Sequence, residues 1–389
     1  VPTSAKAKAL ADSVNQIMGK GTIGMGSDPY YKVTYLPTGI SPIDDLLGGG
    51  IPYGRFIELF GNYSTLKSFV GLKAIAACQE KGELAALIDT EHAFDPKWAK
   101  DCGVDIDNLI LKQPKSAEEA VDISEVLIRG GANLIVFDSI AAALPKSEKD
   151  TMMSGDKNIQ PARLAALMSI AMRKLTTANG KTAMIWINQT RLNVGMVFGN
   201  PETTPGGKAM GFYASMRIAL RKAGSVVEPI EVTVSEKGIP KKKVVNQTIA
   251  VTVRATLEKS KLNQPHRDVT FNFDFRRAKI DEWFYLAAQC LDVGAIEYNR
   301  KVWTVLEGKK KGLKVRGREE FEKVMTEREM MVLLGRHQLA KSKAGSRKRN
   351  GSKRVVRRST QTQGRAGSKT TGTTKTRSTK SRTRTKRSS

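Results

Sequence analysis

Residues 61–68 read Gly61-Asn62-Tyr63-Ser64-Thr65-Leu66-Lys67-Ser68, the phosphate-cradling pattern G-x-x-x-x-G-K-[ST] in all but one position. In that pattern consecutive backbone N–H groups wrap phosphates, the lysine reaches the terminal ones and the last hydroxyl holds Mg²⁺. An apolar run, Arg55 to Phe60, leads into the octet and a helical one, Phe69 to Cys78, leaves it, so the loop joins a strand to a helix N-terminus. Leu66 stands where the second glycine belongs. Glycine takes positive φ freely, whereas a leucine forced into the left-handed region costs about 1–2 kcal/mol. If residue 66 holds negative φ, phosphate binding survives with a shifted loop. If it is left-handed, phosphate affinity or hydrolysis falls. A hydrophilic turn ahead of a helix has the same look, so the octet alone does not establish a nucleotide site.

Outward from the octet the chain alternates. Strands are expected at Leu84 to Asp89, Asn108 to Leu111, Leu134 to Asp138 and Thr182 to Asn188, with helices at Ala117 to Arg129 and Arg163 to Leu175 between them. Further strands are expected at Tyr213 to Arg221 and Thr248 to Leu257. Strands written as continuous apolar runs between helices predict an α/β fold with a mostly parallel central sheet covered on both faces. Ala5 to Met18 has helical spacing of Leu10, Val14, Ile17 and Met18, then a glycine-rich link. From Asp281 a compact unit rich in aromatics begins, including Trp283, Phe284, Trp303 and Phe321. The expected division is 1–29 helix and linker, 30–276 core, 277–340 small α+β domain and 341–389 disordered tail.

The chain carries 65 Lys+Arg against 38 Asp+Glu, net +27, and residues 341–389 hold 18 of the basic residues and no acid. Such a tail calls for a polyanion, nucleic acid ahead of an acidic membrane surface, with a solubilising terminus as the plainer reading. Cys78, Cys102 and Cys290 are scattered, and His92, His266 and His337 form no cluster, which argues against a disulfide framework and a zinc site. No apolar run reaches membrane-spanning length and no signal peptide opens the sequence, so a soluble, cytoplasmic protein is expected.

Polar residues collect where strands end, the edge at which open α/β sheets bind ligands. Asp138 has the position and type of a Walker B acid that helps Ser68 hold Mg²⁺. Glu91 is placed to deprotonate an attacking water, and Gln189 to sense a γ-phosphate. Each is equally a cap or turn residue alone; together with Lys67 they point to ATP. The stretch from Arg191 to Lys208 is basic and glycine-rich, with Gly206, Gly207 and an enclosed Phe198, the makings of a flexible loop that meets phosphates and stacks on bases.

These residues resemble the bacterial RecA recombinase family over roughly residues 5 to 335. Asp89-Thr90-Glu91-His92-Ala93-Phe94-Asp95-Pro96 and Gly103-Val104-Asp105-Ile106-Asp107-Asn108-Leu109 resemble family segments. Met196-Val197-Phe198-Gly199-Asn200-Pro201-Glu202-Thr203-Thr204, continued by Gly206-Gly207, resembles the second DNA-binding loop. The resemblance implies a RecA-like P-loop NTPase core, with Lys67, Ser68 and Asp138 on ATP and Mg²⁺, Glu91 as catalytic base and Gln189 linking nucleotide to DNA loop. It places Asp95 and Trp98 near adenine, core packing being the plainer reading of the indole. Lys259 and Lys261 match lysines that reach the ATP of a neighbouring subunit in a filament. Arg163 and Arg173 match positions near DNA or the subunit interface, and are otherwise surface salt-bridge residues. The first DNA loop falls around Met152 to Asn158, the N-terminal helix resembles the polymerisation element, and the small domain one that recruits duplex DNA.

The implied function is homologous recombination: an ATP-bound filament on single-stranded DNA that pairs it with a duplex and exchanges strands. The alternative is a DNA-coating filament that has lost hydrolysis; a hexameric helicase of similar core fits the DNA loop and terminal elements less well. Four features depart from the family. Leu66 and its neighbours alter the cradle, the tail is basic where the family's is usually acidic, the loop Lys146 to Ile159 keeps little of the family's wording, and Val227 to Asn246 is longer and more basic. Such divergence is compatible with a bacteriophage or other mobile element.

Overall fold

The computed structural model describes residues 3–149, 162–192, 202–236 and 239–335. The apolar runs form one nine-stranded sheet. Its strands are β1 (Phe56–Gly61), β2 (Ala85–Asp89), β3 (Ile110–Lys112), β4 (Leu134–Asp138) and β5 (Ala183–Gln189). They continue with β6 (Met216–Glu236), β7 (Ile239–Ser260), β8 (Arg267–Asp274) and β9 (Lys279–Ile280). The order across the sheet is β9-β8-β7-β6-β1-β5-β4-β2-β3. Pairing is parallel from β6 to β3 and antiparallel from β6 to β9.

Helices cover both faces, which is why the strands need no polar alternation. Along β4, Leu134 and Val136 enter one core with Ile57, Leu59 and the helix α3 defined below, while Ile135 and Phe137 enter the other with Met184 and Trp186. The helices are α1 (Thr3–Met18), α2 (Ser41–Leu47), α3 (Lys67–Glu80), α4 (Pro96–Asp101), α5 (Ala117–Arg129), α6 (Ala162–Ala178) and α7 (Ala209–Tyr213). α3 lies on the first face; α5 and α6 supply Val121, Met172 and Leu175 to the second.

Of the strand expected at Tyr213 to Arg221, Tyr213 instead ends α7; the part from Met216, with the strand expected at Thr248 to Leu257, belongs to a much longer hairpin paired from Met216↔Ser260 to Glu236↔Ile239. Val226, Val227, Ile230, Val232, Val244 and Val245 explain the extension, since β-branched side chains suit a pleated ribbon.

The chain divides into two compact units after Ala288. Helix α8 (Glu282–Asp292) straddles the division, its first turns tied to the first unit by the Tyr285 hydroxyl donating to Asp45 at 2.6 Å. In the second unit, strands β10 (Ile296–Asn299), β11 (Val302–Val305) and β12 (Lys314–Arg316) form an antiparallel sheet, and Phe321 of helix α9 (Arg318–Val324) stacks on Trp303 at 5.1 Å. Among the described residues no helix is long and apolar enough to cross a membrane.

Candidate nucleotide site

The parallel register brings the polar strand ends together: Gly61 of β1 lies opposite Gln189 of β5, and Asp89 of β2 opposite Asp138 of β4. The octet spans from the end of β1 to the first turn of α3. Gly61 is required by contact, because a Cβ there would stand 2.2 Å from the Leu220 carbonyl oxygen. Beyond it Ser64 (φ 55°) and Leu66 (φ 69°, ψ 19°) are both left-handed. Of the two conformations open for residue 66 the left-handed one is adopted: the leucine takes the backbone of the missing glycine. Its strain of about 1–2 kcal/mol is met by its side chain, which is half-buried against the main core. Full burial of a leucine contributes about 1.5–3 kcal/mol, so half of it roughly balances the strain. Between the two left-handed residues Thr65 is buried and its hydroxyl donates to the Asn62 carbonyl at 2.8 Å; Lys67 Nζ donates to the same oxygen at 2.7 Å. Tyr63 is 90% exposed on the rim.

Lys67 and Asp138 perturb each other. Burial lowers the Lys67 ammonium, with Asp138 and Glu91 opposing the shift. Burial pushes the Asp138 carboxyl up to about 6, the Ser68 hydroxyl opposes this by donating to it, and Glu91 and Asp89 reinforce it. Among the described residues the buried Asp138 Oδ1 has no hydrogen-bond partner. A buried carboxylate oxygen beside a serine hydroxyl is a hard-oxygen donor set that fits Mg²⁺, which takes one or two carboxylates and completes its shell from phosphate and water. Among the described residues no cluster of three or more His, Cys, Asp or Glu exists, so the site has no all-protein cage.

Glu91 sits on the turn after β2. Asp89 builds that turn by accepting from the Glu91 N–H at 3.1 Å and the Phe94 N–H at 3.0 Å. Glu91 Oε1 accepts from Gln189 Nε2 at 3.3 Å and from the Ser139 hydroxyl at 2.6 Å. Asp95 and Trp98 line the same cleft as Ser68 and Asp138. Each has structural work besides: Asp95 caps α4 by accepting from the Lys97 and Trp98 N–H groups, and Trp98 meets Phe69 and, edge-on, Phe273 at 6.5 and 6.4 Å.

Lys259 and Lys261 are not brought to Lys67. Lys259 pairs with Arg217, which pairs with Glu58, so it is level with the body of β1 and away from the end that bears the loop. Lys259 donates to the Phe212 and Ala214 carbonyls at 3.2 and 2.9 Å and Lys261 to Phe212 at 2.8 Å, capping α7.

Of the expected DNA residues, Met196 and Phe198, with the loop around Met152 to Asn158, lie outside the described residues. Arg191 is exposed on a short strand that leaves Gln189 and pairs with Glu202–Thr203. Arg173 is exposed on α6, Arg163 is half-buried near its start, and Lys208 is exposed just before α7. Gly206 (φ 86°) and Gly207 (φ 72°) are packing residues as well as flexible ones, since a Cβ would meet Ile140 at 2.9 Å and Ala165 at 2.7 Å.

Sequence reading missed the anchor beneath this loop. Glu58, fully buried in β1, pairs with Arg217 and accepts from Asn188 Nδ2 at 2.9 Å. Asn188 Nδ2 also donates to the Pro205 carbonyl at 3.0 Å, and Arg217 to Thr204 Oγ1 at 3.4 Å. Arg221 bridges Glu202 and Glu258. The lone acid in the apolar run Phe56-Ile57-Glu58-Leu59-Phe60 was the available signal.

A mostly parallel sheet of this order, with the octet after β1 and an acid, a second acid and an amide at neighbouring strand ends, defines a RecA-like P-loop NTPase core. Comparison with known proteins narrows the class. The model of the RecA N-terminal domain matches residues 5–276. Protein RecA of Francisella philomiragia is 38% identical over 334 residues, covering 83% of this chain and 85% of that protein. Protein RecA of Francisella tularensis subsp. novicida is 38% identical over 335 residues, covering 83% and 86%. The chain belongs to the RecA family.

Proposed function

We propose that this chain is an ATP-dependent homologous recombination protein that forms filaments on single-stranded DNA and promotes pairing and strand exchange. The observation that carries this reading is the continuous path from Lys67, Ser68 and Asp138 through Glu91 and Gln189 to Arg191, which joins a phosphate cradle to a basic loop stem. Bound Mg²⁺ supplies charge neutralisation on the phosphates, and Ser68 with Asp138 would hold it. The loop N–H groups and Lys67 orient the phosphates, Glu91 accepts a proton from the attacking water, and Gln189 carries the state of the γ-phosphate to the loop. Lys259 and Lys261 act on a neighbouring copy's nucleotide, a role that suits their distance from their own cradle. Asp95 and Trp98 border adenine. DNA runs past Arg163, Arg173, Arg191, Met196, Phe198, Gly206, Gly207 and Lys208, through backbone charge and stacking. The non-hydrolysing coat is not favoured, and the place of action is the cytoplasm of a bacterium or of an infected bacterial cell.

Strand exchange between a circular single strand and a homologous linear duplex tests the reading. The full chain with ATP and Mg²⁺ gives joint molecules, and Lys67→Ala gives none. Joint molecules formed equally well by Lys67→Ala overturn the assignment of the cradle.

A further inference from the structure

Glu91 lies on an exposed turn, and an unanchored glutamate there would sample several rotamers at the moment its geometry matters. The group that fixes it comes from the residue just beyond β4, the strand paired with β2. Ser139 is fully buried, and its hydroxyl donates to Glu91 Oε1 at 2.6 Å, shorter than the 3.3 Å contact from Gln189 to the same oxygen. Ser139 is itself held at both backbone polar groups by one side chain. Its N–H donates to Thr90 Oγ1 at 2.8 Å, and the Thr90 hydroxyl donates to its carbonyl at 2.7 Å. The Thr90 N–H in turn donates to the Asp138 carbonyl at 2.7 Å.

From this geometry we infer that Ser139 is a positioning residue for Glu91, fixing which carboxylate oxygen is free to take the proton and where it stands. Two donors occupy Oε1, which leaves Oε2 with the capacity to accept from water. Because Ser139 follows Asp138, the end of β4 delivers the metal-side acid and the anchor of the base in consecutive residues. The orientation of each is therefore set by the same strand, and Gln189 meets a carboxylate that is already aimed. A base displaced by about 1 Å loses on the order of 100-fold in rate, so the anchor acts on turnover and leaves nucleotide binding to the cradle.

The inference rests on the proposed ATPase reading, and a double-mutant cycle separates the two. Steady-state kcat and KM for ATP are measured with single-stranded DNA on the full-length wild type, Ser139→Ala, Glu91→Gln and the double variant. Ser139→Ala is expected to lower kcat roughly 10- to 100-fold with KM held within about threefold, and to cost almost nothing further in the Glu91→Gln background. Binding of a fluorescent ATP analogue reports folding of each variant. Should Ser139→Ala fail to fold, Thr90→Ala frees the same serine and is expected to show the same split between kcat and KM. An active wild type with unchanged kcat in Ser139→Ala, or an equal loss with and without Glu91, overturns the inference alone. A wild type that binds ATP and never hydrolyses it overturns the ATPase reading and the inference with it.

Discussion

Two replacements at residue 66 separate backbone strain from side-chain packing. Leu66→Ala keeps a Cβ in the left-handed region while removing the packing on the core; Leu66→Gly removes both. The half-buried leucine contributes about 1 kcal/mol of burial, half the value for a fully buried one. The left-handed backbone costs about 1–2 kcal/mol for any residue with a Cβ, and glycine adds about 0.4–1 kcal/mol of unfolded-state entropy. Leu66→Ala is therefore destabilised by about 1 kcal/mol or slightly more, and Leu66→Gly stays within about 1 kcal/mol of wild type. Urea unfolding without nucleotide measures both, and a fluorescent ATP analogue follows the cradle. The glycine variant retains nucleotide affinity and turns ATP over faster, because its loop is no longer tethered to the core. An alanine variant more stable than the glycine one would show that residue 66 is not held left-handed, and would refute this account of the octet.

Other outcomes follow from the charges. Asp138 has a folded value of about 6 against an ordinary 3.8, so its contribution to stability is full below about pH 4 and is lost as pH rises through 6. The loss amounts to about 3 kcal/mol, and Asp138→Asn flattens that part of the stability-versus-pH curve; an unaltered curve contradicts the assignment. Mg²⁺-dependent ATP affinity runs the other way, rising through pH 6 as the carboxylate ionises. Arg217→Met leaves the buried Glu58 unpaired and is expected to cost about 3–5 kcal/mol in thermal or urea unfolding. Truncation after Ala340 removes 18 basic residues and is expected to weaken DNA binding and flatten its dependence on salt, as read by fluorescence anisotropy across a salt series.

Much of this architecture is legible in the sequence because the sheet is buried on both faces. Runs such as Leu134-Ile135-Val136-Phe137 announce strands, and the polar Asp138 and Gln189 mark where two of them end. The conformation of Leu66 was not legible, since residue type argues against the left-handed region and only the packing of its side chain offsets the strain. The anchor of Glu58 and Arg217 joins residues 159 positions apart, and Ser139 meets Glu91 across 48. Local pattern carries no information about such pairings; strand order and register create them. The long hairpin was half legible, its β-branched residues visible and its register hidden by the lysines at 241–243.

The most direct test of the account is ATP binding and hydrolysis by the full chain with and without single-stranded DNA, beside Glu91→Gln. ATP affinity is expected in both proteins, and slow, DNA-dependent hydrolysis in the wild type alone. Absence of ATP affinity in the wild type, even with single-stranded DNA present, would contradict it.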